Sequence, residues 1–174
     1  QAVDRAIDFI KREQEEDGSW FGRWGTNYVY GTWSALSALN TAGEDMDQPY
    51  IQKAVAWLKG RQREDGGWGD DGVTYWNDRR DEVKASTPSQ TAWALLGLMA
   101  AGEVDDSTVA RGVRYLTEHE REGVRWTEDL YTAVGFPKVF YLRYHGYAAY
   151  FPLWALSRYR NLKKANDRRV AWGM

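Results

Sequence analysis

Apolar residues recur at helical spacing in three similar segments of the chain. Segments 3–14, 51–62 and 109–120 align without gaps, and apolar residues occupy the first, fifth and eighth positions of each. This i, i+4, i+7 spacing places the apolar side chains on one face of a helix. Because a helical segment that is repeated along the sequence in this way is typical of stacked helical hairpins, the pattern predicts the first helix of each of three hairpins.

A second repeated pattern predicts the partner helix of each hairpin. Segments 32–44 and 91–103 align, and each contains a glycine suited to the left-handed residue that follows a helix, Gly43 or Gly102. A third partner helix is predicted to begin at about Pro152. We therefore expect an all-α fold of three helical hairpins within one domain, 1–174, with long aromatic loops at 18–28, 64–86 and 121–139.

The phrase "STPSQ" predicts a well-defined helix start inside the second hairpin. Thr87 suits the N-cap position because its hydroxyl can accept a bond from a free backbone N–H. Pro88 suits the first helical position, where its missing N–H is not needed. Gln90 stands where the reciprocal partner of a capping box is expected.

A glutamine, an acid, glycine and a tryptophan recur at the end of each predicted first helix. The phrases read "QEEDGSW" at 14–20 and "QREDGGW" at 62–68. We predict a staple between hairpins, in which the amide bonds orphan backbone groups and the indole caps the next repeat. Its tryptophans, Trp20, Trp68 and Trp126, are therefore predicted to be structural. The third copy, "EREGVRW", has Glu120 in place of the glutamine, so its staple should be weaker.

Composition excludes several classes of function. The formal net charge of −2 gives no basis for binding nucleic acid. The absence of cysteine excludes disulfides, thiolate zinc sites and cysteine nucleophiles. His119 and His145 are predicted to be a surface and a loop histidine, and two isolated histidines do not make a metal site, so we predict no metal and no cofactor.

The aromatic content points instead to a cavity. The chain contains ten tryptophans, eleven tyrosines and five phenylalanines, more than a small helical core requires. The chain also starts inside a helical pattern without a methionine, which predicts that it was cut from a longer polypeptide. No apolar run approaches the roughly 18 residues of a membrane span.

The stapling phrases resemble the QW motifs of triterpene cyclases, and the whole chain resembles the C-terminal part of bacterial squalene–hopene cyclases. The resemblance is carried by "DGSWFGRWGTNYVYGT", "ASTPSQTAWALLGL", "GFPKVFYLRYHGYAAYFPLWALSRYR" and the closing "RRVAWGM". It implies half of an α/α-toroid, an α6/α6 barrel with an inner and an outer ring of helices. It also implies an isomerase that protonates squalene and cyclises it, as a carbocation, to hopene or hopanol.

The resemblance further implies which side chains act. Trp24, Phe136 and Phe140 match residues that stabilise carbocations, and Tyr30 matches a tyrosine of the hydrogen-bond network around the acid. The tyrosines expected to bind and position the substrate are Tyr141, Tyr144 and Tyr147. Aromatic faces suit this chemistry because they attract positive charge without acting as nucleophiles.

The proton donor of that family is missing from this sequence. The family uses an Asp-x-Asp-Asp motif, whereas "GDDG" at 69–72 and "EVDDST" at 103–108 have a different pattern. Asp70 and Asp71 are predicted to be loop or cap carboxylates and not general acids. We therefore expect the segment alone to be inactive, and to need the remainder of the cyclase or a second copy to complete the toroid.

Other readings of the repeated hairpins fit less well. Zinc prenyltransferases and complement-type thioester domains need cysteine, which is absent. Toroidal glycosidases also use aromatic residues and paired acids, but they are not expected to carry QW staples. A non-catalytic helical half-toroid that only self-associates stays open for the isolated chain. For the parent protein, the resemblance implies squalene as substrate and a peripheral, monotopic position on the cytoplasmic side of a membrane.

Overall fold

The computed structural model describes residues 1–167 and 169–170. The described residues form six helices: α1 Ala2–Arg12, α2 Tyr28–Thr41, α3 Pro49–Gly60, α4 Pro88–Ala100, α5 Ser107–Glu118 and α6 Tyr147–Lys164. They also form four short strands: β1 Arg121–Glu122, β2 Arg125–Trp126, β3 Ala133–Phe136 and β4 Phe140–Leu142. None of the described helices is long and apolar enough to cross a membrane. Most of the closing "RRVAWGM", at 168 and 171–174, lies outside the described residues.

Three helices form an inner row, and the other three lie outside it. α4 packs between α2 and α6, and all of its residues are buried. α3 packs against α2 and α4, whereas α5 packs against α4 and α6. The terminal helix α1 has no buried residue. The six helices thus have the arrangement of half an α/α-toroid, which confirms the predicted fold class.

The glutamine of each complete staple connects one hairpin to the next. Nε2 of Gln14 donates to the carbonyls of Gly18 and Tyr50, both at 2.8 Å, and Tyr50 lies in the first turn of α3. Nε2 of Gln62 donates to the carbonyls of Gly66 and Thr108, both at 2.8 Å, and Thr108 lies in the first turn of α5. The amide therefore joins successive outer helices, and, as predicted, it bonds backbone groups: one loop carbonyl of its own staple and one carbonyl in the first turn of the next outer helix.

The indole N–H groups cap their own hairpin. Nε1 of each stapling tryptophan donates to one of the last four carbonyls of the outer helix that precedes it: Trp20 to Ile10 at 2.7 Å, Trp68 to Leu58 at 2.7 Å, Trp126 to Leu116 at 2.6 Å. The expectation that the indole N–H caps the next repeat is therefore wrong. The reason is the left-handed glycine in the two complete staples, Gly18 (φ 99°) or Gly66 (φ 85°), which turns the chain back over the same helix.

The helix starts follow the sequence in part. Thr87 is the N-cap of α4, with its Oγ1 accepting from the N–H of Gln90 at 3.2 Å, and Pro88 is the first helical residue. The reciprocal half of the capping box is not formed, because the N–H of Thr87 donates to the carbonyl of Trp68 at 2.9 Å. Oε1 of Gln90 accepts instead from the hydroxyl of Thr87 at 2.8 Å. α6 begins at Tyr147, before the predicted start at Pro152. The proline therefore lies inside the helix, which continues through it although the missing N–H removes one i→i−4 hydrogen bond.

The third loop contains two β-hairpins that the sequence analysis did not predict. β3 pairs antiparallel with β4, and the register is irregular between Val134 and Phe136. The connecting turn closes with a 3.0 Å bond from the N–H of Val139 to the carbonyl of Phe136, and Lys138 within it has a left-handed φ of 68°. β3 is also joined to the loop of the first hairpin, since Gly25 forms a bridge with Ala133.

Candidate functional site

Phe136 and Phe140 form an exposed pair at the turn between β3 and β4. Their ring centroids are 5.6 Å apart with an interplanar angle of 64°, an edge-to-face arrangement. The rings are 53% and 43% exposed. Gly135 makes room for this pair, because a Cβ there would lie 2.0 Å from Cε2 of Phe140. The turn thus presents two ring faces outside the packed interior.

Trp24 is held beside the same hairpin by its backbone. Its carbonyl accepts a 3.0 Å bond from the N–H of Val134. Two residues later, the N–H of Thr26 donates to the carbonyl of Thr132 at 2.9 Å. The indole is 56% exposed and carries the guanidinium of Arg23 over its face, 4.9 Å from the ring centroid. The three residues expected to stabilise cations therefore belong to one joined region, and none of them points into a separate packed core.

Tyr30, Tyr144 and Tyr147 lie with the inner helices. The ring of Tyr30 is 5.0 Å from that of Trp93, Tyr147 is 5.8 Å from Trp93, and Tyr144 is 5.2 Å from Tyr147. Burial raises the pKa of Tyr30 and of Tyr147, so both hydroxyls stay neutral at physiological pH. These three tyrosines form one aromatic group that spans α2, α4 and the start of α6.

Sequence reasoning missed the other members of this group. They are the aromatic side chains that contact the tyrosines or one another: Trp33, Trp93, Phe151 and Trp154. A signal was present in α6, where Tyr147, Phe151 and Trp154 follow the i, i+4, i+7 spacing of one helix face. Trp33 and Trp93 stack in parallel, with centroids 6.0 Å apart and an interplanar angle of 2°.

Trp93 marks the driest point of the aromatic group. Its side chain is fully buried, and its Nε1 has no hydrogen-bond partner among the described residues. A buried indole usually has a partner for its N–H. The ring instead sits among the faces and edges of Tyr30, Trp33 and Phe151. The surroundings are therefore apolar and rich in π-electrons, an environment in which an adjacent positive charge is strongly attracted to ring faces.

Tyr141 lies apart from the other predicted site residues. Because successive strand residues point to opposite faces, its ring leaves β4 on the side away from Phe140. Its hydroxyl donates to the carbonyl of Gly72 at 2.9 Å, and its ring stacks on Tyr75 with centroids 6.2 Å apart. It lines an open cavity of about 330 Å³ together with Trp76 and Tyr131. Its predicted contact with a substrate stays a prediction.

Asp70 and Asp71 are helix caps, as predicted. Oδ2 of Asp70 accepts from the N–H of Val29 at 2.7 Å and of Asn27 at 3.3 Å, at the start of α2. Burial raises the pKa of Asp70 to about 6, although these bonds act in the opposite direction. Asp71 caps the short 3₁₀ turn Gly72–Tyr75, with Oδ1 accepting from the N–H of Val73 at 3.3 Å.

Glu128 is a partly buried carboxylate that the sequence analysis did not single out. Its Oε2 accepts from the N–H of Ser89 at 3.0 Å, at the start of α4. Burial raises its pKa, and the bonds from Ser89 and the nearby Arg143 counteract this. Of the two histidines, His119 is partly buried and His145 is exposed. Asp70 and Glu128 thus both serve helix starts.

Residues 1–161 match the family model described as the squalene-hopene cyclase C-terminal domain. The chain is 61% identical over 170 residues to the squalene–hopene cyclase of Zymomonas mobilis, and 57% identical over 169 residues to that of Bradyrhizobium diazoefficiens. Each alignment covers 97% of this chain and 26% of the relative. The chain therefore spans about a quarter of the length of these curated relatives.

A solved structure shows the same fold at low sequence identity. It is a type II terpene cyclase from Scytonema in complex with geranylgeranyl dihydroxybenzoate, 18% identical to this chain. The superposition has a TM-score of 0.65 and covers 91% of this chain and 50% of that one. At this identity the similarity supports the helical architecture alone.

Proposed function

The chain belongs to the squalene–hopene cyclase family, and we propose that it forms the cation-stabilising wall of the active site in a full-length enzyme that cyclises squalene. The observation that carries the proposal is the joined region of Trp24, Phe136 and Phe140, whose rings are about half exposed at the β3–β4 hairpin and on the loop that pairs with it. Apolar side chains that are exposed together, and not singly, often mark a surface that faces a ligand or a partner.

The aromatic residues act on a reaction that is started elsewhere. A strong acid in another part of the full-length protein protonates a terminal alkene of squalene, and the carbon skeleton closes ring by ring as a carbocation. The faces of Trp24, Phe136 and Phe140 stabilise the charge without trapping it, because they carry no lone pair that forms a bond. Loss of a proton from the last cation gives hopene, an isomer of squalene, and addition of one water gives hopanol.

The tyrosines shape the path of the substrate. Tyr144 and Tyr147 form a mostly apolar surface that holds a hydrocarbon chain and excludes water from the cations, and Tyr30 belongs to the hydrogen-bond network around the acid. Water exclusion matters because a free water molecule would end the reaction early by adding to an intermediate cation. No metal or organic cofactor takes part in this proposal.

Incubation of the full-length protein with squalene, followed by product analysis, tests the proposal. We expect hopene and hopanol from the full-length protein and no cyclised product from the 174-residue segment, which lacks the Asp-x-Asp-Asp acid. Absence of any triterpene from the folded full-length protein would contradict the proposed activity. Product from the segment alone would contradict the division of roles between the acid and this wall.

We further propose that the parent protein binds the cytoplasmic face of a membrane as a peripheral, monotopic protein, since squalene dissolves in bilayers. Flotation of the full-length protein with phospholipid vesicles tests this. We expect co-flotation that resists high salt, because an apolar attachment is not screened by ions. Recovery of the protein only in the vesicle-free fraction would contradict it.

Self-association is the second candidate function, and it applies to the segment in isolation. Two outer surfaces leave large apolar side chains exposed: Val3 and Phe9 on α1, and Tyr150 and Leu153 on α6. An uncovered apolar surface at each end of a row of repeats favours pairing with a further hairpin. Analytical ultracentrifugation of the segment is expected to show dimers or larger species, and a well-folded monomer would contradict this.

A further inference from the structure

Two carboxylates, the buried Asp70 and the partly buried Glu128, stand at equivalent positions of the repeat. Asp70 follows the stapling Trp68 by two residues, and Glu128 follows the stapling Trp126 by two residues. Asp70 accepts from the N–H of Val29, the second residue of α2, and Glu128 accepts from the N–H of Ser89, the second residue of α4. Each carboxylate thus caps the inner helix of the preceding hairpin.

α2 depends on this cap more than α4 does. The N-cap of α2, Asn27, makes no side-chain cap bond. Its side chain instead accepts from the N–H of Gly22 and donates to the hydroxyl of Thr74, both at 3.2 Å. α4 has its own cap in Thr87. Asp70 therefore provides the hydrogen-bond acceptor for the first N–H groups of α2, which at most helix starts comes from the N-cap side chain itself.

Two other side chains near Asp70, those of Gln90 and Tyr75, anchor the loop before α2. Nε2 of Gln90 donates to the carbonyl of Asp70 at 2.9 Å and to the carbonyl of Thr26 at 2.7 Å. The hydroxyl of Tyr75, five residues after Asp70, donates to the carbonyls of Gly22 and of Gly25. Segment 22–30 is thus held by hydrogen bonds from Asp70, Tyr75 and Gln90. Trp24 and Tyr30 both lie in this segment.

We propose that Asp70 is a positioning residue for Trp24 and Tyr30, because its carboxylate holds the start of α2 from the neighbouring hairpin and so fixes where these two rings stand. The catalytic consequence rests on the proposed function, whereas the structural consequence does not. Oδ2 of Asp70 accepts from backbone N–H groups, and the role that we propose for this residue is positioning, not proton transfer.

Asp106 provides a matched control for Asp70. It is also an aspartate whose carboxylate accepts a backbone N–H at a helix start, that of Thr108 in α5 at 2.7 Å. α5 is an outer helix and carries none of the predicted site residues. Changing Asp106 to alanine or asparagine removes or weakens this cap and also its 2.8 Å ion pair with Lys59, without touching the segment that carries Trp24 and Tyr30.

The test combines hydrogen exchange with product analysis on the full-length protein and its Asp70→Ala, Asp70→Asn, Asp106→Ala and Asp106→Asn variants. In Asp70→Ala we expect amide exchange at 22–31 to rise about tenfold, the size of effect that loss of a helix cap has. Asp70→Asn keeps one acceptor oxygen, so its exchange rate should lie between those of wild type and Asp70→Ala. Both Asp106 variants should leave exchange at 22–31 unchanged.

Product analysis then separates positioning from stability. We expect the Asp70 variants to release more partly cyclised products from squalene, in the order alanine, asparagine, wild type, while the Asp106 variants keep the wild-type product ratio. Unchanged exchange at 22–31 in Asp70→Ala would overturn the inference, whether or not squalene is cyclised. Raised exchange with an unchanged product ratio would overturn the positioning role. Failure of the folded wild-type protein to cyclise squalene would overturn the proposed function instead.

Discussion

Two groups of aromatic residues in this molecule have similar chemistry and opposite environments. The stapling tryptophans, Trp20, Trp68 and Trp126, are 5%, 0% and 6% exposed, and the N–H of each is bonded to a helix-end carbonyl. Trp24 on its loop and the pair of Phe136 and Phe140 at the β3–β4 turn are about half exposed. The comparison teaches that residue type does not decide whether a ring is buried: the backbone that presents the ring does.

The two groups differ in how the chain approaches them. A staple follows directly after a helix, and its left-handed glycine turns the indole back into the space between outer and inner helices. Phe136 and Phe140 flank the turn between β3 and β4, and Trp24 lies on the loop that pairs with β3, so these side chains stay about half exposed. Stability should therefore depend on the first group and product formation on the second.

Removal of Trp68 should give the largest effect on stability. The Trp68→Ala change leaves a cavity beside Leu58 and removes a helix-end bond, so we expect the free energy of unfolding to fall by about 3–5 kcal/mol. Thermal and chemical unfolding of the full-length protein measure this, and the product ratio of the folded fraction should not change. The matched control is Trp24→Ala, which removes an exposed indole and should lower stability by less than about 1 kcal/mol.

The comparison would break if these outcomes were reversed. A Trp68→Ala protein of normal stability with altered products would show that the staple belongs to the active site. A large loss of stability in Trp24→Ala would show that the exposed indole is part of the structural framework. Either result would remove the separation of the two aromatic groups.

Filling the space next to a staple should give the next largest effect. A Cβ at Gly112 would lie 2.7 Å from Cζ3 of Trp68 and 2.9 Å from Cδ2 of Leu95, so the ring and the leucine would have to move. We expect Gly112→Ala to lower the free energy of unfolding by about 1–3 kcal/mol, the usual cost of overpacking. The control is Gly60→Ala in α3, where an added Cβ meets nothing within 4 Å. That change should raise stability by roughly 0.5–1 kcal/mol, and equal effects at both glycines would contradict the packing argument.

The helical framework could be predicted from the sequence because its signals are local. The apolar spacing of each helix lies within one segment, and Thr87 and Pro88 define a helix start from adjacent residues alone. The β3–β4 hairpin was missed because the expected segment contains glycine and proline and has no clear alternation. The start of α6 was placed too late because Pro152 was taken for a first-turn residue, whereas it lies inside the helix.

The candidate site was predicted less completely because its contacts are distant in sequence. The pairing of Gly25 with Ala133 connects two loops more than a hundred residues apart, and no local pattern announces it. The caps that Asp70 and Glu128 provide likewise reach a helix of another hairpin. The staple was also predicted only in part. The direction of the indole N–H depends on the left-handed backbone conformation of Gly18 and Gly66, which the motif letters alone do not specify.

Loss of a staple glutamine should have a moderate effect. Gln62→Ala removes two 2.8 Å bonds, to Gly66 and to Thr108, that connect the second hairpin to the third. Net contributions of such bonds suggest a loss of about 1–2 kcal/mol in the free energy of unfolding. The matched change at the third staple, Glu120→Ala, should have an effect below about 0.5 kcal/mol, because Glu120 is exposed. Equal losses in both variants would contradict the prediction that the third staple is weaker.

Removal of one exposed ring should have the smallest effect on stability and the clearest effect on products. Phe140 is 43% exposed and packs mainly on Gly135 and Phe136, so Phe140→Ala should lower the free energy of unfolding by no more than about 1 kcal/mol. If the ring stabilises a late cation, squalene should give partly cyclised products, because the cation loses a proton before the last ring closes. Val139→Ala, in the same turn and 74% exposed, is the matched control and should leave the product ratio unchanged. Wild-type products from Phe140→Ala would contradict the prediction and would show that this ring serves the fold, although it is exposed.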